Sequence, residues 1–415
     1  MDSQRLRRYA LPRLAGLVGL LLALHPGPDG TVAAAAKAET PPPDWVEPPG
    51  FAVGCNGPVL ALAALPDGRL VLGGRFRQCG GVTAANVAIW DPQLALYLPL
   101  GAGVTGGLFG TEAVVTAIHA DANDIIVAGA FTTAGGAPAA NIARFRIATQ
   151  GWEPLGPAGN DGVNAEVTAL ARIDDSVYVG GAFIRAGDVA ARYLARFDFA
   201  TDAWTAVAGA QIATTVRALA IADRGLYVAG GTRLVSFAPV NPLSRFDLDT
   251  ATWSTLATFD GRIDALAAAE GSLYVGGQFT GSGATPLARI ARINLGTQVI
   301  TPADSGITGG SFFGTTIAAI AVTRANVFAV GDFALAGSSV ASHIAQFDRS
   351  TGRWSAIGAG PANGMDAPGA ALAVPGAQGF VAGGFATAGG APRGGVAAFE
   401  AIEVLFRDGF ETVNR

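Results

Sequence analysis

Residues able to carry acid–base, nucleophilic or metal chemistry are scarce in this 415-residue chain: three His and two Cys in all. His25 falls in a segment read below as an export signal, which leaves His119 and His343. They occupy different strand classes of an internal repeat, and no carboxylate recurs at a fixed offset from either. A general acid–base pair needs its partners within hydrogen-bond reach, and no Gly-x-Ser-x-Gly phrase marks a nucleophilic serine. Gly-Gly phrases follow strand-like runs but do not open helices, so they are not phosphate cradles. Asn160-Asp161-Gly162 could begin a calcium loop, but the acidic ligands such a loop needs are missing nearby. The reading is therefore no catalytic residues, no metal and no cofactor, with His119 the one ionisable side chain on an otherwise apolar inner phrase, Thr116–Ala120 (TAIHA).

The elements that would position such residues come from a repeat. Seven segments share a β-rich phrase ending in glycine, among them RLVLGGRF, VYVGGAF and LYVGGQF. The common glycine is Gly74, Gly129, Gly181, Gly230, Gly277, Gly331 and Gly383, at spacings of 55, 52, 49, 47, 54 and 52 residues. A Phe follows two residues later in six copies, and the fourth has Thr232 instead. Each copy contains four short strand-like pieces separated by Gly, Asp, Asn and Pro turns. Four strands per fifty or so residues, seven times over, predict an all-β, seven-bladed β-propeller of four-stranded antiparallel blades. Its inner strands (ALAAL, TAIHA, ALAAA, AIAVT) offer small apolar residues to the axis.

The repeated polar and aromatic residues read as framework. From the acid ending the third strand to the bulky residue of the fourth is six positions: Asp91 to Tyr97, Asp198 to Trp204, Asp247 to Trp253 and Asp348 to Trp354. Arg146 to Trp152 and Asn294 to Ile300 keep the spacing with changed residues. Asp at a turn start bonds nearby backbone N–H groups, and a bulky aromatic at constant depth fills the wedge between sheets. Arg144, Arg196, Arg245 and Arg292 recur in the same way and read as structural partners.

The seventh copy lacks its closing strand, and Asp44–Gly50 (DWVEPPG) resembles Gly151–Gly156 (GWEPLG). Trp45 is therefore expected to open the fourth strand of the last blade, so that the N-terminal strand closes the ring. Ile402–Phe406 is the competing candidate. Cys55 and Cys79 flank the first hairpin of the first copy on one face of the blade, which allows a disulfide if the protein is exported.

Function is expected where the copies differ. The connections Gly103–Thr111 (GVTGGLFGT) and Gly306–Thr315 (GITGGSFFGT) are long and alike, and Phe109, Phe312, Phe313 and His119 are the candidate binding residues. Net charge is −5, with Lys37 the single lysine, so there is no basic patch for nucleic acid. Residues 1–36 read as a signal peptide: Arg5, Arg7 and Arg8, then the apolar Ala15–Leu24, then a small-residue cleavage region at Val32–Ala36. Residues 37–43 read as a Pro-rich linker, 44–400 as the propeller and 401–415 as a tail. Nothing after the signal is long and apolar enough to span a membrane.

With these phrases in view, the repeat resembles the kelch repeat, and its fuller form (VYVGGAF…LARFD…W) is similar to repeats of fungal cortical polarity-marker proteins and of bacterial exported proteins. The resemblance covers roughly residues 44–400. It implies a fold; galactose oxidase, a copper enzyme on such a propeller, implies one catalytic precedent, but the His pair and free Cys-Tyr pair of that precedent are missing here. The ending Leu405–Glu411 (LFRDGFE) looks like a terminal tail of exported proteins of xanthomonad bacteria, which implies a periplasmic or extracellular place. The expectation is an exported, monomeric, non-enzymatic scaffold for a protein, peptide or glycan. A polysaccharide-acting hydrolase, lyase or oxidase is the alternative.

Overall fold

A computed structural model describes residues 43–401, apart from Ala158, Gln211, Gly231, Thr232, Ser236, Phe237, Phe312 and Phe313. The side chains of residues 233–235, 238–240, Phe109 and Pro361 also lie outside the description. The expected signal, almost all of the linker, the tail from residue 402, the rival strand Ile402–Phe406 and the three Phe side chains proposed for binding therefore fall outside the described residues.

Among the described residues the chain is antiparallel β, with only two 3-10 turns, Leu108–Gly110 and Gly360–Ala362. The first sheet runs Val59–Ala64, Leu70–Gly74, Val87–Asp91 and Leu96–Pro99 in chain order. The same four-strand order recurs from the first strands Val114–Ala120, Val167–Ile173, Val216–Ala222, Ile263–Ala269 and Thr316–Val322. A last sheet starts at Gly369–Ala373, continues through Gln378–Gly383 and Val396–Glu400, and takes Trp45–Val46 as its fourth strand, with Trp45 opposite Phe399. Each first strand packs beside the first strand of the next sheet, and Gly369–Ala373 lies beside Val59–Ala64. The fourth copy, which lacks the repeated Phe, lengthens its outer strands to Ala238–Asp247 and Thr252–Phe259 and pairs onward with Gly281–Ser282.

The repeated glycines are explained by one contact. Opposite each, the first strand carries a bulge, visible as a register shift after Val59, Val115, Val167, Val216, Ile263, Ile317 and Gly369. The bulge brings a backbone carbonyl under the glycine. A Cβ at any of the seven would lie 2.1–2.6 Å from that oxygen: Pro58 for Gly74, Val114 for Gly129, Glu166 for Gly181, Thr215 for Gly230, Arg262 for Gly277, Thr316 for Gly331 and Pro368 for Gly383. The residue is glycine because the space is taken by main chain, which cannot rotate aside.

The aromatic residues serve adjacent sheets. The indole N–H groups of Trp152, Trp204, Trp253 and Trp354 donate to the carbonyls of Leu100, Leu155, Ala208 and Ala303, each in the connection that leaves the preceding sheet. Trp45 does the same to Ala362 at 2.9 Å, and Tyr97 Oη donates to Phe51. A hydrogen-bonded indole N–H is what allows a Trp to be buried at low cost.

Between its second and third strands each copy places a short hairpin, such as Thr133–Ala134 with Ala137–Pro138, and in the fourth Arg233–Val235 pairs with the start of the long Ala238–Asp247 strand. The connection entering that sheet adds one more bridge: Val104 to Ala134, Val163 to Ala186, Ile307 to Ala336 and Met365 to Ala388. In the first copy this bridge is Cys55 to Cys79, and there it is also a disulfide. The covalent bond thus doubles a contact the other copies make with hydrogen bonds and buried aliphatics. Thiol titration of the denatured, unreduced protein should detect no free thiol and, after reduction, two. Reduction should remove about 3 kcal/mol of stability, read as a lowered denaturant midpoint.

Candidate functional site: the cleft between the second and third sheets

Most repeated polar side chains are consumed by the framework. The Oδ1 atoms of Asp91, Asp198, Asp247, Asn294 and Asp348 accept two backbone N–H groups each in the turn that follows. Arg196 and Arg245 pair with Asp198 and Asp247 on the same strand. His343 is also taken up: its φ is +67°, at a left-handed position before the third strand that Asn86, Asn141, Tyr193 and Arg289 occupy in other copies. Its Nδ1 lies 3.2 Å from the Gly331 carbonyl.

His119 is different. The strand register aligns it with Ala63, Ala171, Ala220, Ala267, Ala321 and Ala373, so every other copy has alanine. One position further along, the third copy has Arg172 where the others have Ala64, Ala120, Ile221, Ala268 and Val322. These two departures from the repeat, on neighbouring sheets, meet. Asp121 joins them: its Oδ2 is 2.6 Å from Arg172 Nη1 and 3.7 Å from His119 Nε2. Asp124, 4% exposed, sits 3.5 Å from the same guanidinium. Its cross-strand partner is Arg146, whereas the corresponding pairs elsewhere are Ser176 with Asp198 and Asn326 with Asp348. The second copy has thus moved its acid from the third strand to the second. Arg144 and Arg146 both bind Glu153, at 2.6 and 2.9 Å. The guanidinium carbons of Arg144 and Arg172 lie 5.0 and 4.9 Å from the centre of the Phe199 ring, within cation–π range.

Asp124, Arg144, Arg146, Arg172 and Phe199 line a cleft of about 580 Å3, and Asp121 ties His119 to its Arg172 from beside it. Burial, then the charge of Arg172, lowers the pKa of His119 below its ordinary 6.5, in spite of the nearby Asp121 and Asp124. Burial alone would raise Asp121, but the backbone N–H groups of Asn123 and Asp124 and the charge of Arg172 hold it below the usual carboxylate value. The sign follows for stability. Unfolded, His119 takes up a proton near 6.5; folded, it resists until lower pH. The unfolded state binds more protons in that window, so stability falls as pH is lowered through it. The melting temperature should therefore drop more steeply between about pH 7 and 5 for the parent than for His119→Ala. Parallel curves would refute the assignment.

The inner strands are more polar than their alternating phrases imply. The bulge residues are Leu60, Thr116, Thr168, Arg217, Asp264, Ala318 and Ala370. The hydroxyls of Thr116 and Thr168 donate to the carbonyls of Val167 and Val216 on the next inner strand. Arg262 and Arg217 flank Asp264 at 2.7 and 3.9 Å. Simple alternation misplaces these side chains because the bulge adds a residue to the count.

Of the four candidate binding residues, only His119 has a described side chain. The flanks of the two long connections are framework: Val104 and Ile307 are fully buried in the extra bridges to the hairpins. Reading the sequence missed Asp121, Asp124, Glu153, Arg172 and Phe199. Aligning the copies on their glycine would have exposed Arg172, the one charge in an otherwise apolar column.

Two stretches, residues 65–88 and 123–146, match a domain family of unknown function described as a β-propeller, DUF5122. Both stretches cover the second strand and the hairpin; the second also covers the third strand, of which the first reaches the opening two residues. No curated protein matches. Among solved structures, the computationally designed Ika8 protein superposes with a TM-score of 0.50 at 17% identity, over 84% of this chain and 99% of that one. The extracellular domain of a B. thetaiotaomicron protein described as a one component system superposes at 0.54 and 9% identity, over 86% of this chain. The present chain spans 40% of that one's length. With its recurring four-stranded sheets and this family match, the chain is a β-propeller repeat protein.

Proposed function

We propose that this chain is an exported, monomeric, non-enzymatic seven-bladed propeller of kelch-like repeats, closed by Trp45–Val46, that serves as a scaffold for binding a protein, peptide or glycan. Closure is supported by the pairing of Trp45 with Phe399 and the packing of the last inner strand beside the first. Export is supported by the signal-like N-terminus, by the disulfide, which needs an oxidising compartment, and by the extracellular place of one similar structure. The observation that carries the binding role is the meeting, through Asp121, of His119 and Arg172, two departures from the repeat on adjacent sheets, beside the cleft that Arg172 lines. Residues shared by all copies solve problems common to all sheets; a cluster built on His119 and Arg172, whose positions are apolar in the other copies, does not. Phe109, Phe312 and Phe313 belong to the same reading as a second contact surface.

The test applies the purified, signal-processed protein to glycan and peptide arrays. Saturable binding that is lost on changing cleft residues or the three Phe residues supports the scaffold; no binding on any array sinks it. The 3.7 Å approach of a neutral-leaning His119 to Asp121 favours the second reading, a polysaccharide-acting enzyme. Turnover of a polysaccharide that disappears in His119→Ala without change in melting would establish it instead.

A further inference from the structure

We propose that the cleft between the second and third sheets binds an acidic sugar, a uronate residue of a glycan. This rests on the scaffold reading above and names its ligand. The cleft, about 580 Å3, falls within the usual range for small-ligand sites. Its wall carries Arg144, Arg146 and Arg172 with Asp124 and Asp175, and Glu153 and Asp121 bind the arginines from beside it. Each guanidinium has five N–H donors in a planar fork. The bonds to Glu153 and Asp121 use only some of them, so the forks can still take a carboxylate. Arg146 is the most exposed of the three and is the residue assigned to that carboxylate.

The neutral part of the ligand is indicated by two atoms. Asp124 Oδ1 and Arg144 Nε are both buried and without a hydrogen-bond partner in the protein. In the third and fifth sheets the same arginine position closes this gap itself: Arg196 Nε donates to Ser176 Oγ at 2.9 Å, and Arg292 Nε to Ser272 Oγ at 3.0 Å. Asp124 holds the serine's place in the second sheet, and the bond is not made. An unmet acceptor and an unmet donor remain on one face of the sheet, and leaving such groups unpaired is costly. Both atoms have under 1 Å2 of exposed surface, so a sugar hydroxyl, which donates and accepts, would meet them after a small shift of the cleft wall. Sulfate would satisfy the arginines but would bring no proton to Asp124 and would repel it. A neutral sugar would leave the arginine forks unused. Phe199 adds an apolar surface beside the two guanidiniums.

The experiment is calorimetric titration of the signal-processed protein with tri-galacturonate, tri-mannuronate, maltotriose and sodium sulfate at low salt. At least one uronate trimer should bind, with maltotriose and sulfate weaker by about tenfold or more. Arg146→Gln and Asp124→Asn should each weaken that uronate by about tenfold or more. Arg146 is half-exposed, so its variant keeps the fold, checked by an unchanged melting curve. The proposal is overturned if no uronate binds, if sulfate binds as well as the uronate, or if both variants bind like the parent. If the uronates fail while a neutral glycan or a peptide on the arrays binds, the scaffold reading stands and this assignment alone falls.

Discussion

Replacing Gly277 with alanine should destabilise the protein by about 3 kcal/mol or more, one of the largest effects of any single substitution here. The added methyl would sit 2.1 Å from the Arg262 carbonyl oxygen and 2.9 Å from the Ile263 Cα. Overpacking is usually relieved by a neighbouring side chain changing rotamer. Here the neighbours are main chain, in an inner strand already bent by a bulge and hydrogen-bonded to Gly277's own strand. Relief would have to break that bulge, and with it the packing of Ile263, which is 2% exposed. Gly376→Ala is the control: no atom lies within 4 Å of the place its methyl would take, and its φ is ordinary, so its effect should stay within about 0.5 kcal/mol. Denaturant midpoints followed by circular dichroism decide the matter. Equal midpoints for the two variants would show that the recurring glycine is not held by this contact.

That glycine also shows how far the sequence could be read. Its recurrence in seven copies is plain in the string of letters, and so is the strand before it. The reason for it is not, because the blocking carbonyl lies at the entry to the inner strand some fifteen residues earlier (Arg262 against Gly277, Pro58 against Gly74). The same limit applies to His343. Its left-handed φ is shared by Asn141, Tyr193 and Arg289, residues with nothing in common as letters, since the conformation is imposed by the strands on either side. Trp204 and Trp354 could be read as wedge-fillers from spacing alone; that their indoles donate to the preceding connection could not. The cleft is the clearest case. His119 stands out on its own phrase, but Arg172 and Asp121 are brought together only by the packing of two sheets, and their repeat-breaking character appears only once the register is known. The disulfide was legible because export chemistry and hairpin geometry agree on the same two residues.

Removing residues 37–50 should cost more than any single side chain in the first sheet or the last, because both edges of the structure use that segment. Trp45 and Val46 pair with Phe399 and Ala398, so their loss leaves Val396–Glu400 as an unpaired edge, a template for association with another chain. Trp45 itself rests edge-on against Phe399 at 6.3 Å between ring centres and donates to the Ala362 carbonyl. Gly358 and Gly389 face its indole so closely that a methyl on either would come within 2.8 Å of it. Without the indole these glycines face a void. Trp45→Ala alone should therefore cost about 3 kcal/mol, at the low end for a Trp because the side chain is only half-buried. The deletion adds the lost strand pairs and should lower the melting temperature further, with a shift to dimers or larger species in size-exclusion chromatography. A truncated protein that melts with the parent would mean that the last sheet finds its fourth strand elsewhere, and Ile402–Phe406 would be the segment to remove next. A truncated protein that melts early but stays monomeric would keep the stabilising role of Trp45 and deny that the exposed edge is sticky, which the charged Glu400 at its end and Arg393 just before it would then explain.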